Sequence, residues 1–187
     1  FFEPKIKNII NNAEVYHNNK KILYVMSMYY NPIKYDVPHN QVGFLYEGYF
    51  KKIIKFLDGN NYYYRIKLHP DNHINITTKL DKHINNTIND LYNKFDILLF
   101  DHSVTTAFAE ALNTNKKIIL FDSGQNIFSN DFKKIVDKRC HLIETELNVG
   151  SSPKFNIKKL KDSLENNDNI DESIIIKSRS FFSPNMK

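Results

Sequence analysis

The sequence predicts an α/β fold, a parallel β-sheet with helices on both faces, from three observations. Short, almost wholly apolar runs recur along the chain, stretches with helical spacing separate them, and turn residues punctuate the joins. A strand covered above and below has no side facing water, so it reads as a continuous apolar run rather than a polar–apolar alternation. Strand alternating with helix then specifies parallel pairing, because a right-handed helical crossover returns the chain to the same end of the sheet. The layout is Rossmann-like, and 187 residues suffice for one such domain with a real core.

The first strand is expected over Lys21–Met28 (KILYVMSM). A helix from Val42 to Leu57 follows, in which Phe44, Leu45, Tyr49, Ile53, Ile54 and Leu57 recur mostly at three- and four-residue steps. The turn Asp58-Gly59-Asn60-Asn61 leads to a strand over Tyr62–Leu68, ended by Pro70, which cannot donate to a sheet ladder. A shorter helix falls between Ile84 and Phe95, then a strand over Asp96–Phe100, a helix over Thr105–Leu112 and a strand over Lys117–Phe121. After the fourth strand come the segment Phe128–Val136, a short fifth strand at His141–Ile143, and helices near Ile157–Leu164 and Asp171–Lys177.

The formal charge of +5 comes from lysines spread along the chain, densest at Lys20-Lys21, Lys51-Lys52, Lys116-Lys117, Lys133-Lys134 and Lys158-Lys159. Such a spread suits a solvated surface, a phosphorylated ligand or peripheral contact with an anionic membrane face. One cysteine, Cys140, excludes a disulfide framework and fits a reducing, cytoplasmic setting. No run of about 18 apolar residues spans a bilayer, and the opening Phe1-Phe2-Glu3-Pro4 lacks the order of a signal peptide. The missing initiating Met is what a piece of a longer chain would show. Only five glycines are present and none forms a P-loop, which argues against an ATPase. The tyrosines Tyr62-Tyr63-Tyr64 fall in a strand rather than among basic residues, which argues against nucleic-acid binding.

Ligands of such sheets bind at the carboxyl ends of the strands, where strand order reverses. The loops Tyr29–Gln41, His69–Asn75, Asp101–Thr105 and Asp122–Asn126 are therefore the ones to inspect. The segment Asp101-His102-Ser103-Val104-Thr105-Thr106 puts three hydroxyl residues where a strand ends and a helix opens. Hydroxyls, leading amide groups and the positive helix end suit an anion there, although Ser103 or Thr105 also serves as an ordinary N-cap. At the end of the preceding strand, Lys67-Leu68-His69-Pro70 supplies a fixed positive charge and an imidazole able to hold a phosphate or protonate it as it leaves.

These two segments, in this order and followed by Glu110-Ala111-Leu112, resemble the C-terminal domain of GT-B glycosyltransferases, close to the CDP-glycerol glycerophosphotransferase and capsular polysaccharide transferase group. Those families carry a Lys-x-His-Pro run after one strand and an Asp-x-Ser-Ser/Thr run with an Ala-Leu helix after the next. The resemblance implies that the chain is one half of a GT-B fold and binds a nucleotide-diphosphate-activated sugar or polyol for surface polysaccharide synthesis. It implies Lys67, Ser103, Thr105 and Thr106 on the donor phosphates, His69 in the catalytic role, Glu110 on the ribose, and Asp101 and His102 lining the site. It further implies no bound metal or cofactor, and an acceptor-activating base in an N-terminal domain that this chain lacks.

Retaining relatives in the wider fold place an acidic residue eight positions before this Glu. His102 stands there instead, which favours an inverting mechanism. A response-regulator receiver is disfavoured, since no carboxylate pair follows the first strand to hold magnesium. A nucleotide-sugar epimerase of the same fold and a non-catalytic binding module remain as alternatives.

Overall fold

The computed structural model describes residues 20–26, 43–70, 80–103, 105–124, 128–146, 154–166 and 170–182. The expected strand end at Ser27-Met28, the helix start at Val42, the loops 29–41, 71–75 and 125–126, and Val104 lie outside these residues. The elements are β1 (Ile22–Val25), α1 (Gly43–Gly59), β2 (Tyr64–Lys67), a 3-10 turn at Leu80–Lys82, α2 (Ile88–Tyr92), β3 (Ile97–Phe100) and α3 (Thr106–Ala111). They continue with β4 (Lys117–Asp122), α4 (Asn130–Arg139), β5 (Cys140–Glu146), β6 (Lys154–Phe155), α5 (Ile157–Glu165) and α6 (Glu172–Phe182).

These strands form one six-stranded sheet in the order β2-β1-β3-β4-β5-β6. The first five are parallel, with Ile22 facing Tyr64 on one side and Ile97 on the other, and Ile118 facing Cys140. The sixth is antiparallel to β5 through Thr145–Phe155 and Glu146–Lys154, so the sheet is mixed. Two residues carry no period-2 signal, which is why β6 is silent in the sequence.

Alternate residues of each strand feed two separate cores, as the period of two requires. Ile22, Tyr24, Ile97, Leu99, Ile119 and Phe121 pack with Tyr49, Phe50 and Ile53 of α1 and Leu160 and Leu164 of α5. Leu23, Val25, Leu98, Phe100, Ile118 and Leu120 pack with Leu91 of α2, Phe108 of α3 and Val136 of α4. Helices therefore cover both faces, which accounts for the unbroken apolar runs of β1, β3 and β4. The second strand begins two residues later than its apolar run, because the Tyr62 amide donates to Leu57 O at 3.0 Å and closes the end of α1 instead of joining the ladder. Asn61, at φ 53°, makes that turn possible, a conformation asparagine tolerates better than most residues.

At the opposite, amino-terminal end of the sheet, Arg139 is buried and hydrogen-bonded to three carbonyls. Its guanidinium donates to the carbonyls of Leu112 at 3.4 Å, Thr114 at 2.7 Å and Lys116 at 2.6 Å, binding the α3–β4 connection to the end of α4. Replacing Arg139 with Met keeps the aliphatic stem but strands buried carbonyls. Chemical denaturation should show a loss of about 2–4 kcal/mol, and the melting temperature should fall by roughly 5–15 °C; an unchanged midpoint would contradict this role for the guanidinium.

Candidate functional site

Strand order reverses between β1 and β3: from β1 the chain first adds β2 on one side and then β3 on the other. The carboxyl ends diverge at such a point and leave a crevice. A cavity of about 370 Å³ opens there, within the range of roughly 300–1,000 Å³ typical of small-molecule sites. Val25 and Met26 at the end of β1 line its middle, Lys67, Leu68, His69 and Pro70 enter from the end of β2, and Thr105, Thr106 and Ala107 enter from the turn after β3. A fourth contribution, Asn85 to Ile88, comes from the segment leading into α2.

Local structure explains each placement. Lys67 is the last residue of β2, and its carbonyl accepts from the Met26 amide at 2.9 Å, which holds the ends of β1 and β2 level. Pro70 cannot continue the ladder, so Lys67 and His69 stand at the rim, each partly exposed. Thr105 is the N-cap of α3: its hydroxyl accepts from the Phe108 amide at 3.1 Å and retains its own proton for donation. The helix that follows has only six residues, so its dipole is small and the hydroxyls of Thr105 and Thr106 are the main polar groups on this side.

Lys67, His69, Thr105 and Thr106 thus share one cavity, whereas four other residues singled out in the sequence do not line it. Asp101 is buried and turns inward, accepting from the Tyr24 hydroxyl at 3.0 Å and joining the ends of β1 and β3 beneath the crevice. His102 and Ser103 are buried beside it. Burial holds the His102 imidazole below its ordinary pKa, an effect the neighbouring Asp101 charge partly offsets. Glu110 lies on the far end of α3, where its carboxylate accepts from Tyr92 Oη at 3.4 Å; the same hydroxyl donates to Ala107 O at 2.8 Å. Burial, with Glu110 close by, raises the Tyr92 phenol well above its usual range and keeps it a donor. Tyr92 therefore ties α2 to α3, chiefly through the Ala107 carbonyl, with Glu110 as the longer second acceptor.

The Asn85–Ile88 wall is what sequence reasoning missed. His83 forms a parallel bridge with Ile66, and the Ile84 amide donates to Ile66 O at 3.0 Å, so this segment runs along the free edge of β2 toward its carboxyl end. Only edge pairing brings it there, and in sequence Asn85-Asn86-Thr87 falls within the stretch between Ile84 and Phe95 expected to hold the short helix, which in the structure begins at Ile88.

Farther along the same sheet edge, beyond β4 and β5, a second opening of about 460 Å³ is bordered by Asp122, Glu144 and Glu146, with Lys154 across from them. Asp122 accepts from the Gly124 amide at 2.9 Å in a turn that needs the left-handed backbone of Gly124, φ 72°. The carboxylates over β4–β5 are accompanied by lysines, Lys154 on the rim and Lys159, whose Nζ lies 3.6 Å from Glu144 Oε1. Among the described residues, no group of three or more His, Cys, Asp or Glu could hold a metal ion, and no helix is long and apolar enough to cross a membrane. Comparison of the chain with protein-family models, with characterised proteins and with solved structures gave no match.

The buried His102 makes a pH prediction. Its folded-state pKa lies below the unfolded value of about 6.5, so the unfolded chain binds the proton more readily. Stability from this residue is complete above that value and is lost as the pH falls from it through the folded-state value, at no more than about 1.4 kcal/mol per pH unit for one proton. Urea unfolding of the native chain and of His102→Asn at pH 7.5, 6.5 and 5.5 should show a shallower acid decline in the variant, and parallel curves would refute it.

Proposed function

We propose that this chain is the donor-binding half of a GT-B-type glycosyltransferase, taking a nucleotide-diphosphate-activated sugar or polyol used in surface polysaccharide synthesis. The observation that carries this reading is the single cavity, at the reversal of strand order, which Lys67, His69, Thr105 and Thr106 border together. A diphosphate needs positive charge and several donors within one molecule's reach, and these side chains offer an ammonium, an imidazole and two hydroxyls.

In the proposed reaction the acceptor hydroxyl, giving up its proton to a base, attacks either the sugar carbon, releasing the nucleoside diphosphate, or the distal phosphorus of a polyol donor, transferring polyol phosphate and releasing the nucleoside monophosphate. Lys67 opposes the charge that grows on the departing phosphate, and His69 donates a proton to it or hydrogen-bonds it. The acceptor and the base that activates it belong to a separate N-terminal domain. Asp101, through Tyr24, sets the height of the β3 turn against β1 and so positions Thr105 and Thr106. In this reading Ser103 lies buried beneath that turn, and Glu110 stands at the far end of α3, where its carboxylate meets Tyr92 Oη at 3.4 Å.

A thermal-shift titration with CDP, UDP, GDP and CMP tests the proposal. At a concentration 100-fold above Kd, linkage adds about 2.7 kcal/mol, which raises the melting temperature by roughly 5–10 °C, and at least one diphosphate should do so more than CMP. Lys67→Ala removes a charge-assisted hydrogen bond worth about 1.5–3 kcal/mol and should weaken binding roughly 10- to 100-fold. Silence across all four nucleotides would reject the donor site and leave a non-catalytic module of the same fold.

A further inference from the structure

The cavity has a long axis set by strand spacing. From the turn after β3, across β1 and β2, to the Asn85 segment paired on β2's free edge is three strand intervals, about 14 Å at ~4.8 Å each. Along that line the chemistry changes. Thr105 and Thr106 stand at one end, Lys67 and His69 farther along, and the neutral carboxamides of Asn85 and Asn86 at the other. Leu68, Pro70 and Ile88 give the carboxamide end apolar surface. Thr87 adds little, because its hydroxyl donates to Asp90 at 2.6 Å.

Resting on the donor-binding reading above, we infer that Asn85 and Asn86 form the nucleobase subsite and decide which base the donor carries. A carboxamide presents a donor and an acceptor side by side and bears no charge. Its natural complement is a neutral group with the same paired pattern, which the edge of a nucleobase supplies and a second phosphate does not. The base also has two broad, flat apolar faces, and these suit Leu68, Pro70 and Ile88 better than a sugar ring, whose C–H patches are smaller and edged by hydroxyls. Both asparagines are exposed and lie before the first residue of α2, so their side chains can be shortened without opening the core.

Calorimetric titration of the full chain with three probes tests the subsite: inorganic pyrophosphate, the best-bound nucleoside diphosphate, and glucose 1-phosphate. The double variant Asn85→Ala/Asn86→Ala should lose about five- to fiftyfold in affinity for the nucleotide, with pyrophosphate affinity and the ligand-free melting temperature unchanged. The single variants should alter the ranking of CDP, UDP and GDP. If the nucleotide and pyrophosphate weaken equally, if neither weakens, or if only glucose 1-phosphate weakens, the base assignment is wrong while the phosphate reading stands. If the native chain binds none of the three probes, the donor reading and this subsite fall together.

Discussion

Because β1, β3 and β4 are apolar on both faces, no stable arrangement leaves either side of the sheet in water, and the positions of α1, α2, α3, α4 and α5 follow from that requirement. Parallel pairing obliges each connection to cross the sheet, so covering both faces and ordering the strands are one problem with one solution. The solution places β1 at the centre of a reversal. Its Tyr24 and Val25 point to opposite cores, and its carboxyl end borders the crevice that the reversal opens.

Polar groups at this edge are sorted by depth. Asp101 lies in the protein, where a lone carboxylate would be costly, and the Tyr24 hydroxyl answers it at 3.0 Å. That bond links the two strands flanking the reversal, so it braces the crevice from below while leaving the rim to Lys67, His69, Thr105 and Thr106. Arg139 acts in the same way at the opposite end of the sheet, where three backbone carbonyls converge on one guanidinium. Both of these buried charged groups thus join segments that the ladder alone does not join. Cys140 differs from them, because burial raises its thiol pKa to about 12 and it behaves as a small apolar core residue.

Charge is distributed unevenly along the sheet edge: the Lys67 ammonium stands with the Thr105 and Thr106 hydroxyls over β1–β3, while the carboxylates over β4 and β5 have Lys154 and Lys159 beside them. Short α3 contributes to this through its N-cap hydroxyl and leading turn more than through its dipole, which six residues keep small.

Most elements were legible in the sequence because strand and helix periodicities are local properties. The apolar runs located β1 to β5 within a few residues, and the spacing of Tyr49, Ile53 and Leu57 located α1. Lys67, His69, Thr105 and Thr106 were legible as strand-end residues, since a Pro or a hydroxyl run marks where a strand stops. Other features depended on partners distant in the chain. The two-residue β6 exists only because β5 offers it an edge. Asp101 and Glu110 face Tyr24 and Tyr92, 77 and 18 residues away in sequence, and so turn from the cavity that their positions suggested. Asn85 and Asn86 enter it because Ile66 holds His83 and Ile84 on the free edge of β2. Sequence by itself determined, to within a few residues, which of the longer segments become strands and helices, through local patterning and turn chemistry; the tertiary structure alone decided β6 and which strand ends share a cavity, because strand order and side-chain pairing are settled by contacts between residues that the chain keeps far apart.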